Sequence, residues 1–183
     1  MHYDNIEIGT ADFRLLIADA PGNGIAVEPV PHLFEKLPDR EGWEKLNAAI
    51  STESGKMDMW YVNPEFYEVL PVWAKGCNKL GQPHPSILKE HQLKITVPVI
   101  TIYDFFERFE IESIDNFKID TEGHDYDILM DYFKSDLPKP EKLMYESNEL
   151  TSDEKLAELK GMMQGFYRHV TPGKFNTFCK HLR

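Results

Sequence analysis

The stretch from Phe117 to Leu129 has the sequence FKIDTEGHDYDIL. Residues Asn116–Asp120 have the composition of a short buried β-strand. After His124 the apolar positions recur with helical spacing. Asp120 and Glu122 therefore fall where a strand ends and before a helix begins. Because open parallel sheets bind ligands at the carboxyl ends of their strands, these two carboxylates are candidate functional groups.

Four carboxyl side chains and one imidazole lie in the stretch from Asp120 to Asp127. Asp125 and Asp127 also suit the first turn of a helix, where carboxylates interact favourably with the helix dipole. His124 is a candidate base because imidazole titrates near neutral pH, although a surface histidine in the first helical turn is a simpler interpretation. Asp120 and Glu122 are therefore the first candidates for catalysis and His124 the third.

Upstream of this stretch the chain alternates between strand and helix patterns. Strands are expected at Asn5–Gly9 and Ile25–Glu28. Helices are expected at Asp12–Ala20, which ends before a Pro-Gly-Asn-Gly turn, and at Pro31–Leu37. Such alternation predicts an α/β fold with a parallel sheet and helices on its faces.

Downstream the same reasoning extends the fold to the end of the chain. The last elements should form an antiparallel hairpin around a Thr-Pro-Gly-Lys turn, with strands at Phe166–Val170 and Phe175–His181. Further strands are expected at Leu46–Ser51, Lys56–Val62, Leu93–Ile102, Asn116–Asp120 and Lys142–Glu146, and further helices at Asp104–Phe109, His124–Phe133 and Thr151–Gln164.

The segment Asn63–Glu90 breaks this regularity with four prolines and two glycines. It is expected to be an irregular insertion with one helix at Pro64–Lys75. Long insertions in compact domains are often functional lids. A structural flap or a subunit contact is the alternative interpretation.

A second group of candidate functional residues lies at the first strand-to-helix turn, which has the sequence Glu7-Ile8-Gly9-Thr10-Ala11-Asp12-Phe13. A glycine there lets a ligand approach the backbone closely. Glu28 follows Gly9 by nineteen residues, at the end of the next strand, where a carboxylate can accept hydrogen bonds from ribose hydroxyls. The turn lacks the other glycines of a phosphate-binding loop. A ligand with a ribose and no phosphate, such as S-adenosylmethionine (SAM), fits better, although a plain turn with solvated carboxylates would look the same.

These segments together resemble the FkbM-type methyltransferases, which are Rossmann-like SAM-dependent enzymes. The similar stretches, in order, are EIGTADF (7–13), AVEPVPHLFEKL (26–37), LNAAIS (46–51), FKIDTEGHDYDIL (117–129) and KLMYESNEL (142–150), with a weaker match at WAKGCNKL (73–80) and the following His84-Pro85. The resemblance implies one methyltransferase domain over residues 1–183 with a mostly parallel sheet. The first turn departs from the family, which often has Ala-Asn and a later Gly there.

The resemblance also implies roles for individual residues. Glu7 and Gly9 would line the methionine end of a SAM pocket, and Glu28 would hold the ribose. Asp120 and Glu122 would face the transferred methyl group and its acceptor. The full SAM-binding set implied is Glu7, Gly9, Thr10, Asp12, Glu28, Pro29, Asn47, Ala48 and Asp120, with Asn47 and Ala48 near the adenine.

Other interpretations remain open at this point. Asp120, Glu146 and Asn148 end adjacent strands and could hold Mg²⁺ to activate an acceptor hydroxyl. The chain could instead be a SAM-binding or substrate-binding module without catalysis. A nicotinamide-dependent oxidoreductase is disfavoured by the single glycine of the first turn.

The amino-acid composition indicates which classes of binding partner are not expected. The formal net charge is −11, and Lys and Arg form no long cluster, so nucleic acid and anionic membranes are not expected partners. The two cysteines, Cys77 and Cys179, are expected to be free thiols of a cytoplasmic protein. The resemblance to FkbM-type enzymes implies O-methylation, and together with the negative charge it predicts an acceptor hydroxyl on a small neutral or polar molecule such as a sugar. Aromatic walls for it are expected from Trp60, Tyr61, Phe66, Tyr67 and Trp73, with packing in the protein core as the alternative interpretation.

Overall fold

A computed structural model describes residues 1–11 and 16–182. In this part of the chain eleven strands form two sheets, and the mixed α/β class expected from the sequence is confirmed. The strands are β1 His2–Ile8, β2 Gly24–Val27, β3 Trp43–Leu46, β4 Ala49–Ser51, β5 Gly55–Val62, β6 Lys79–Leu80, β7 Gln92–Thr101, β8 Ser113–Ile119, β9 Lys142–Glu146, β10 Tyr167–Pro172 and β11 Asn176–Leu182.

The larger sheet has the strand order β10-β11-β9-β8-β1-β2-β3 and is mixed. Strands β3, β2, β1, β8 and β9 pair in parallel. Strand β11 pairs antiparallel with both β9 and β10, so the expected C-terminal hairpin is present. The carboxyl ends of β1, β2, β8 and β9 consequently meet at one edge of the sheet.

Helices pack against both faces of this sheet. Ile25 and Val27 of β2 point into the large core, whereas Ala26 between them packs with Ile17 on the opposite face, as the two-residue period of a strand requires. The helices are α1 Leu16–Asp19, α2 Pro31–Phe34, α3 Ile102–Arg108, α4 Asp125–Lys134 and α5 Asp153–Phe166. None of the described helices has both the length and the apolar character needed to cross a membrane.

Helix α3 begins two residues before the predicted Asp104. Thr101 and Asp104 form a capping box, in which each side chain accepts a hydrogen bond from the backbone of the other, and this fixes the start of the helix. The pattern-based boundary missed it because the cap residue ends strand β7.

The predicted third strand, Leu46–Ser51, is wrong in its placement. Strand β3 ends at Leu46, and Ala49–Ser51 forms a separate strand that pairs with β7 in the second sheet, ordered β4-β7-β5-β6. Asn47 lies at the break, where its side-chain amide donates to the backbone carbonyls of Glu28 and Pro29. A side chain that bonds to nearby backbone in this way competes with the strand ladder.

The predicted helix at Pro64–Lys75 is also wrong. Two short 3₁₀ segments, Pro64–Phe66 and Val72–Gly76, replace it. Pro71 lies between them, and a proline both lacks a backbone N–H and disfavours helical backbone in the preceding residue. The insertion is otherwise irregular apart from the two residues of β6 and a 3₁₀ segment that begins at Lys89.

Candidate active site

A cavity of about 410 Å³ lies at the carboxyl ends of β1, β2 and β8. Its size is within the range of pockets that enclose small ligands. The insertion contributes Gly76, Asn78 and Leu80, and the C-terminal hairpin contributes Asn176 and Phe178. The remaining lining residues are Ile8, Gly9, Thr10, Ala11, Leu16, Val27, Glu28, Pro29, Ala48, Ala49, Ile50, Met59, Lys118, Asp120, Thr121, Glu122 and Met144.

The turn after β1 requires glycine at its first position. Gly9 has a φ of +80°, and a Cβ placed on it would lie 1.8 Å from the carbonyl oxygen of Asp120. The two strand ends therefore approach each other more closely than any side chain permits. Asp12, which was expected to bind the cofactor, lies outside the described residues.

Glu28 is buried at the edge of the cavity. Its Oε2 accepts hydrogen bonds from the Thr10 hydroxyl (3.0 Å) and the Ala11 N–H (2.8 Å), and its Oε1 accepts one from the Val30 N–H (2.8 Å). Burial raises the pKa of this carboxyl to about 7, against the opposing effect of these donors. A carboxylate has about four acceptor sites, so about one remains for a ligand while Thr10 keeps its present hydrogen bond.

Glu7 lies behind the turn. Its Oε1 pairs with Lys118 Nζ at 2.6 Å, and its Oε2 accepts a hydrogen bond from the Leu16 N–H at 2.8 Å. The side chain is fully buried and is not among the described residues that line the cavity. Burial raises its pKa, and the Lys118 ammonium opposes that shift. In this structure Glu7 positions α1 and Lys118 around the cavity.

Pro29 and Ala48 line the cavity, whereas Asn47 does not belong to the described lining residues. The amide of Asn47 is used to join the end of β3 to the carbonyls of Glu28 and Pro29. Its contribution to the site is therefore to fix the backbone on which Pro29 and Ala48 lie.

The carboxyls of Asp120, Glu122 and Glu146 converge after strands β8 and β9, and the first two line the cavity. Each offers a carboxylate oxygen within 4.8 Å of the other two. Burial raises the pKa of Asp120 to about 7, and repulsion from Asp125 adds to the shift. Burial also raises the pKa of Glu146 to about 10, with further repulsion from Glu122. Burial and mutual repulsion therefore both favour the protonated forms of these carboxyls.

Asp125 has a structural role beneath this cluster. Its Oδ2 accepts hydrogen bonds from the N–H and the hydroxyl of Thr121, and its Oδ1 accepts one from the Glu146 N–H. These contacts tie the loop after β8 to the end of β9. Asp125 thus holds Asp120 and Glu146 on adjacent strand ends.

The structure separates His124 from the other two candidate catalytic residues. Its Nε2 contacts the Ser51 hydroxyl at 2.8 Å, and it is not one of the described lining residues. Burial lowers the pKa of His124. Its observed contact links the start of α4 to strand β4.

The oxygen ligands proposed for Mg²⁺ are only partly available. The amide of Asn148 donates to Glu146 Oε1, and its own oxygen accepts the Leu150 N–H. Asn148 is therefore engaged within its own loop. The fold instead brings Glu122 close to Asp120 and Glu146, so Glu122 replaces Asn148 in the predicted set of ligands.

Two insertion residues contact the Glu122 loop. His84 Nε2 lies 3.1 Å from Glu122 Oε2, and Lys79 Nζ donates to the Glu122 carbonyl at 2.5 Å. The side chain of Gln92 bonds to both the N–H and the carbonyl of His84, which fixes the histidine in place. In the sequence, His84 and Lys79 belong only to the weaker family match, which predicts no role for either residue.

The aromatic walls expected for an acceptor are not found among the described lining residues. Phe66 stacks on His91 with ring centroids 4.1 Å apart, and Trp73 is 55% exposed. Phe178 is the aromatic residue that the described part of the cavity contains. It lies on β11 and carries no sequence motif.

A family model that describes the FkbM methyltransferase domain matches residues 7–164. The match includes Gly9, Glu28, Asp120 and Glu122 of the cavity. The chain belongs to the FkbM methyltransferase family. The hairpin strands β10 and β11, which contribute Asn176 and Phe178 to the cavity, lie beyond the matched residues.

This FkbM-family chain is also similar to UPF0102 proteins of Clostridium perfringens, whose name states no activity. The protein of strain 13 / Type A is 24% identical over 102 residues, which cover 52% of this chain and 83% of the relative. The protein of strain SM101 / Type A is 23% identical over 108 residues, covering 56% and 88%. No solved structure matches the chain.

The buried carboxyls give the FkbM-family fold an expected pH dependence. Burial raises the pKa values of Asp120 and Glu28 to about 7, so the folded protein holds these protons more tightly than the unfolded chain does. The stability they provide is complete below their ordinary pKa values and is lost as the pH rises through 7. The lowered pKa of His124 acts in the opposite direction.

We therefore expect the free energy of unfolding, measured with urea, to fall between pH 5 and pH 8. Asp120→Asn should flatten this fall, because each tenfold change in proton affinity corresponds to about 1.4 kcal/mol. Asp127→Asn, at a partly exposed carboxylate paired with Lys155, is the matched control. A stability that is level or rises over this range would contradict the assignment.

Proposed function

We propose that this protein is a SAM-dependent O-methyltransferase of a small hydroxylated molecule. The observation that carries the proposal is that one cavity joins Glu28 at its ribose-type position to Asp120 and Glu122 at the end of β8. Membership of the FkbM family supports methyltransferase activity in general. The donor, the acceptor atom and the acceptor class are part of the proposal.

The sheet supports a Rossmann-like arrangement of the donor site. Starting from β1, the chain adds β2 and β3 on one side and β8 and β9 on the other. This gives the parallel part of the sheet the order found in dinucleotide-binding folds, whose ligands lie where the order reverses. The cavity lies at that point, beside Gly9 and the carboxyl ends of β1 and β8. We infer one methyltransferase domain, with residues 63–90 as a cavity-side insertion.

The residues of the cavity fit SAM in two respects. The turn that begins at Gly9 lines the cavity, and Glu28 offers a buried carboxylate whose pKa is raised by burial. A pair of ribose hydroxyls donating to Glu28 would replace part of the solvation that burial removes. The Thr10 hydroxyl, which now occupies one acceptor site, can rotate away without moving the backbone.

SAM supplies an activated methyl group on a positively charged sulfur. In the proposed reaction a bond forms between the acceptor oxygen and the methyl carbon, the bond between carbon and sulfur breaks, and the sulfur keeps the electron pair. The acceptor proton passes to Asp120. A pKa of about 7 suits Asp120 to this role, because a general base works best when its pKa lies near the operating pH.

The protein's remaining contribution is orientation. The Thr121–Gly123 loop that carries Glu122 is held by His84 and Lys79 from the insertion. Glu122 can then accept a hydrogen bond from an acceptor hydroxyl beside Asp120. Positioning of this kind lowers the barrier of a displacement in which three atoms must lie in line.

Turnover tests the proposal directly. Purified protein, SAM and a library of sugars and other hydroxylated molecules should yield S-adenosylhomocysteine (SAH) and a methylated product. Asp120→Asn should lower the rate by about 10²–10⁴-fold, the usual contribution of a general base, while Asp127→Asn should not.

Two other outcomes identify the alternatives. Binding of SAM without turnover on any acceptor would favour a binding module. Turnover that is lost in EDTA and restored by Mg²⁺ would assign Asp120, Glu122 and Glu146 to a metal instead of to proton transfer and substrate binding.

A further inference from the structure

The walls of the cavity hold more carboxyl groups than cationic groups. Among the lining residues that the structure describes, four have ionisable side chains, and three of these are the carboxyls of Glu28, Asp120 and Glu122. The fourth is Lys118, whose ammonium is 2.6 Å from the buried Glu7 carboxylate. The described lining therefore presents carboxylates to a ligand and a lysine that is already paired.

Asp120 is the carboxylate with the fewest partners. Within residues 1–11 and 16–182, no hydrogen-bond donor lies on its side-chain oxygens, whereas Glu28 accepts three hydrogen bonds and Glu122 contacts His84. Asp120 also has Glu122 and Glu146 as close carboxyl neighbours. A positively charged group beside Asp120 would relieve this repulsion and supply the missing partner.

Several of the acidic side chains at or beside the cavity are shielded from water. Glu28 and Glu146 are 2% and 8% exposed, and the buried Cys77 of the insertion lies within 4.8 Å of a Glu122 carboxylate oxygen. Interactions between charges are stronger in such partly desolvated sites than at a surface. A cleft lined by one sign of charge also concentrates ligands of the opposite sign.

We propose that this cavity selects its donor by charge, so that it binds SAM more tightly than SAH. The inference rests on the proposed function. SAM and SAH share the adenosine and amino-acid groups and differ by the transferred methyl and the sulfonium charge. Asp120, supported by Glu122, attracts that charge, and its loss on methyl transfer weakens binding of the product and promotes product release.

Calorimetric titration with SAM and SAH, in EDTA to exclude metal effects, tests the inference. Wild-type protein should bind SAM at least about tenfold more tightly than SAH, the difference expected for one partly screened charge interaction. Asp120→Asn should weaken SAM binding by about tenfold and leave SAH binding unchanged. Asp127→Asn should change neither affinity.

SAH serves as the internal control for folding, because a variant that binds SAH like the wild type has an intact pocket. Glu122→Gln provides a second test if Asp120→Asn does not fold, and it should reduce the preference for SAM in the same direction. Equal affinities of the wild type for SAM and SAH, or a preference that survives in the folded variants, overturns the inference. Failure of both ligands to bind would instead overturn the proposed function.

Discussion

Gly9→Ala is expected to destabilise the protein by about 3 kcal/mol or to prevent folding. The new Cβ would lie 1.8 Å from the Asp120 carbonyl oxygen, and the residue would keep a φ of +80°. Forced overpacking and a left-handed non-glycine residue each cost about 1–3 kcal/mol. The loss is a large part of the 5–15 kcal/mol that stabilises a typical domain.

Gly161→Ala is the matched control for this prediction. Gly161 lies in helix α5, and no heavy atom lies within 4 Å of a Cβ built on it. Alanine is favoured over glycine in helices by about 0.8–1 kcal/mol, so this variant should be slightly more stable than the wild type in urea unfolding. Equal stabilities for the two variants would show that the turn after β1 tolerates a side chain.

Glu28→Ala is expected to weaken SAM binding by about 100-fold or more. Two hydrogen bonds from ribose hydroxyls to a charged acceptor contribute about 1.5–3 kcal/mol each. The same substitution leaves the N–H groups of Ala11 and Val30 without their acceptor, so some loss of stability accompanies it. The removal of a buried carboxyl with a raised pKa partly offsets that loss.

Calorimetry with SAM, together with a thermal melt of the ligand-free variant, separates these two effects. Glu35→Ala removes an exposed carboxylate from the end of α2 and should change neither quantity. SAM affinity equal to that of the wild type in folded Glu28→Ala would show that Glu28 only closes the Thr10–Ala11 turn.

Local patterns were sufficient to predict most of the strands and the residues at their ends. Strand β9 has the predicted bounds, and Gly9, Glu28 and Asp120 lie together on the cavity. The reason is that strand ends in a parallel sheet share an edge, so positions far apart in the chain can be placed together from topology alone.

The remaining features depend on contacts between distant segments. The approach of His84 to Glu122 joins residues 38 positions apart, and no local spacing encodes it. Glu7 was expected to line the pocket, but Lys118 on the neighbouring strand pairs with its carboxylate. The break between β3 and β4 likewise depends on hydrogen bonds from the Asn47 amide to the carbonyls of Glu28 and Pro29, which follow β2.

A crystal structure of the protein with SAH tests most directly whether the cavity is the donor site. We expect the ribose hydroxyls to donate to Glu28, with the Thr10 hydroxyl turned away, and the sulfur to lie beside Asp120 and Glu122. A ligand bound elsewhere, with Glu28 still closed on Thr10 and Ala11, would contradict the assignment.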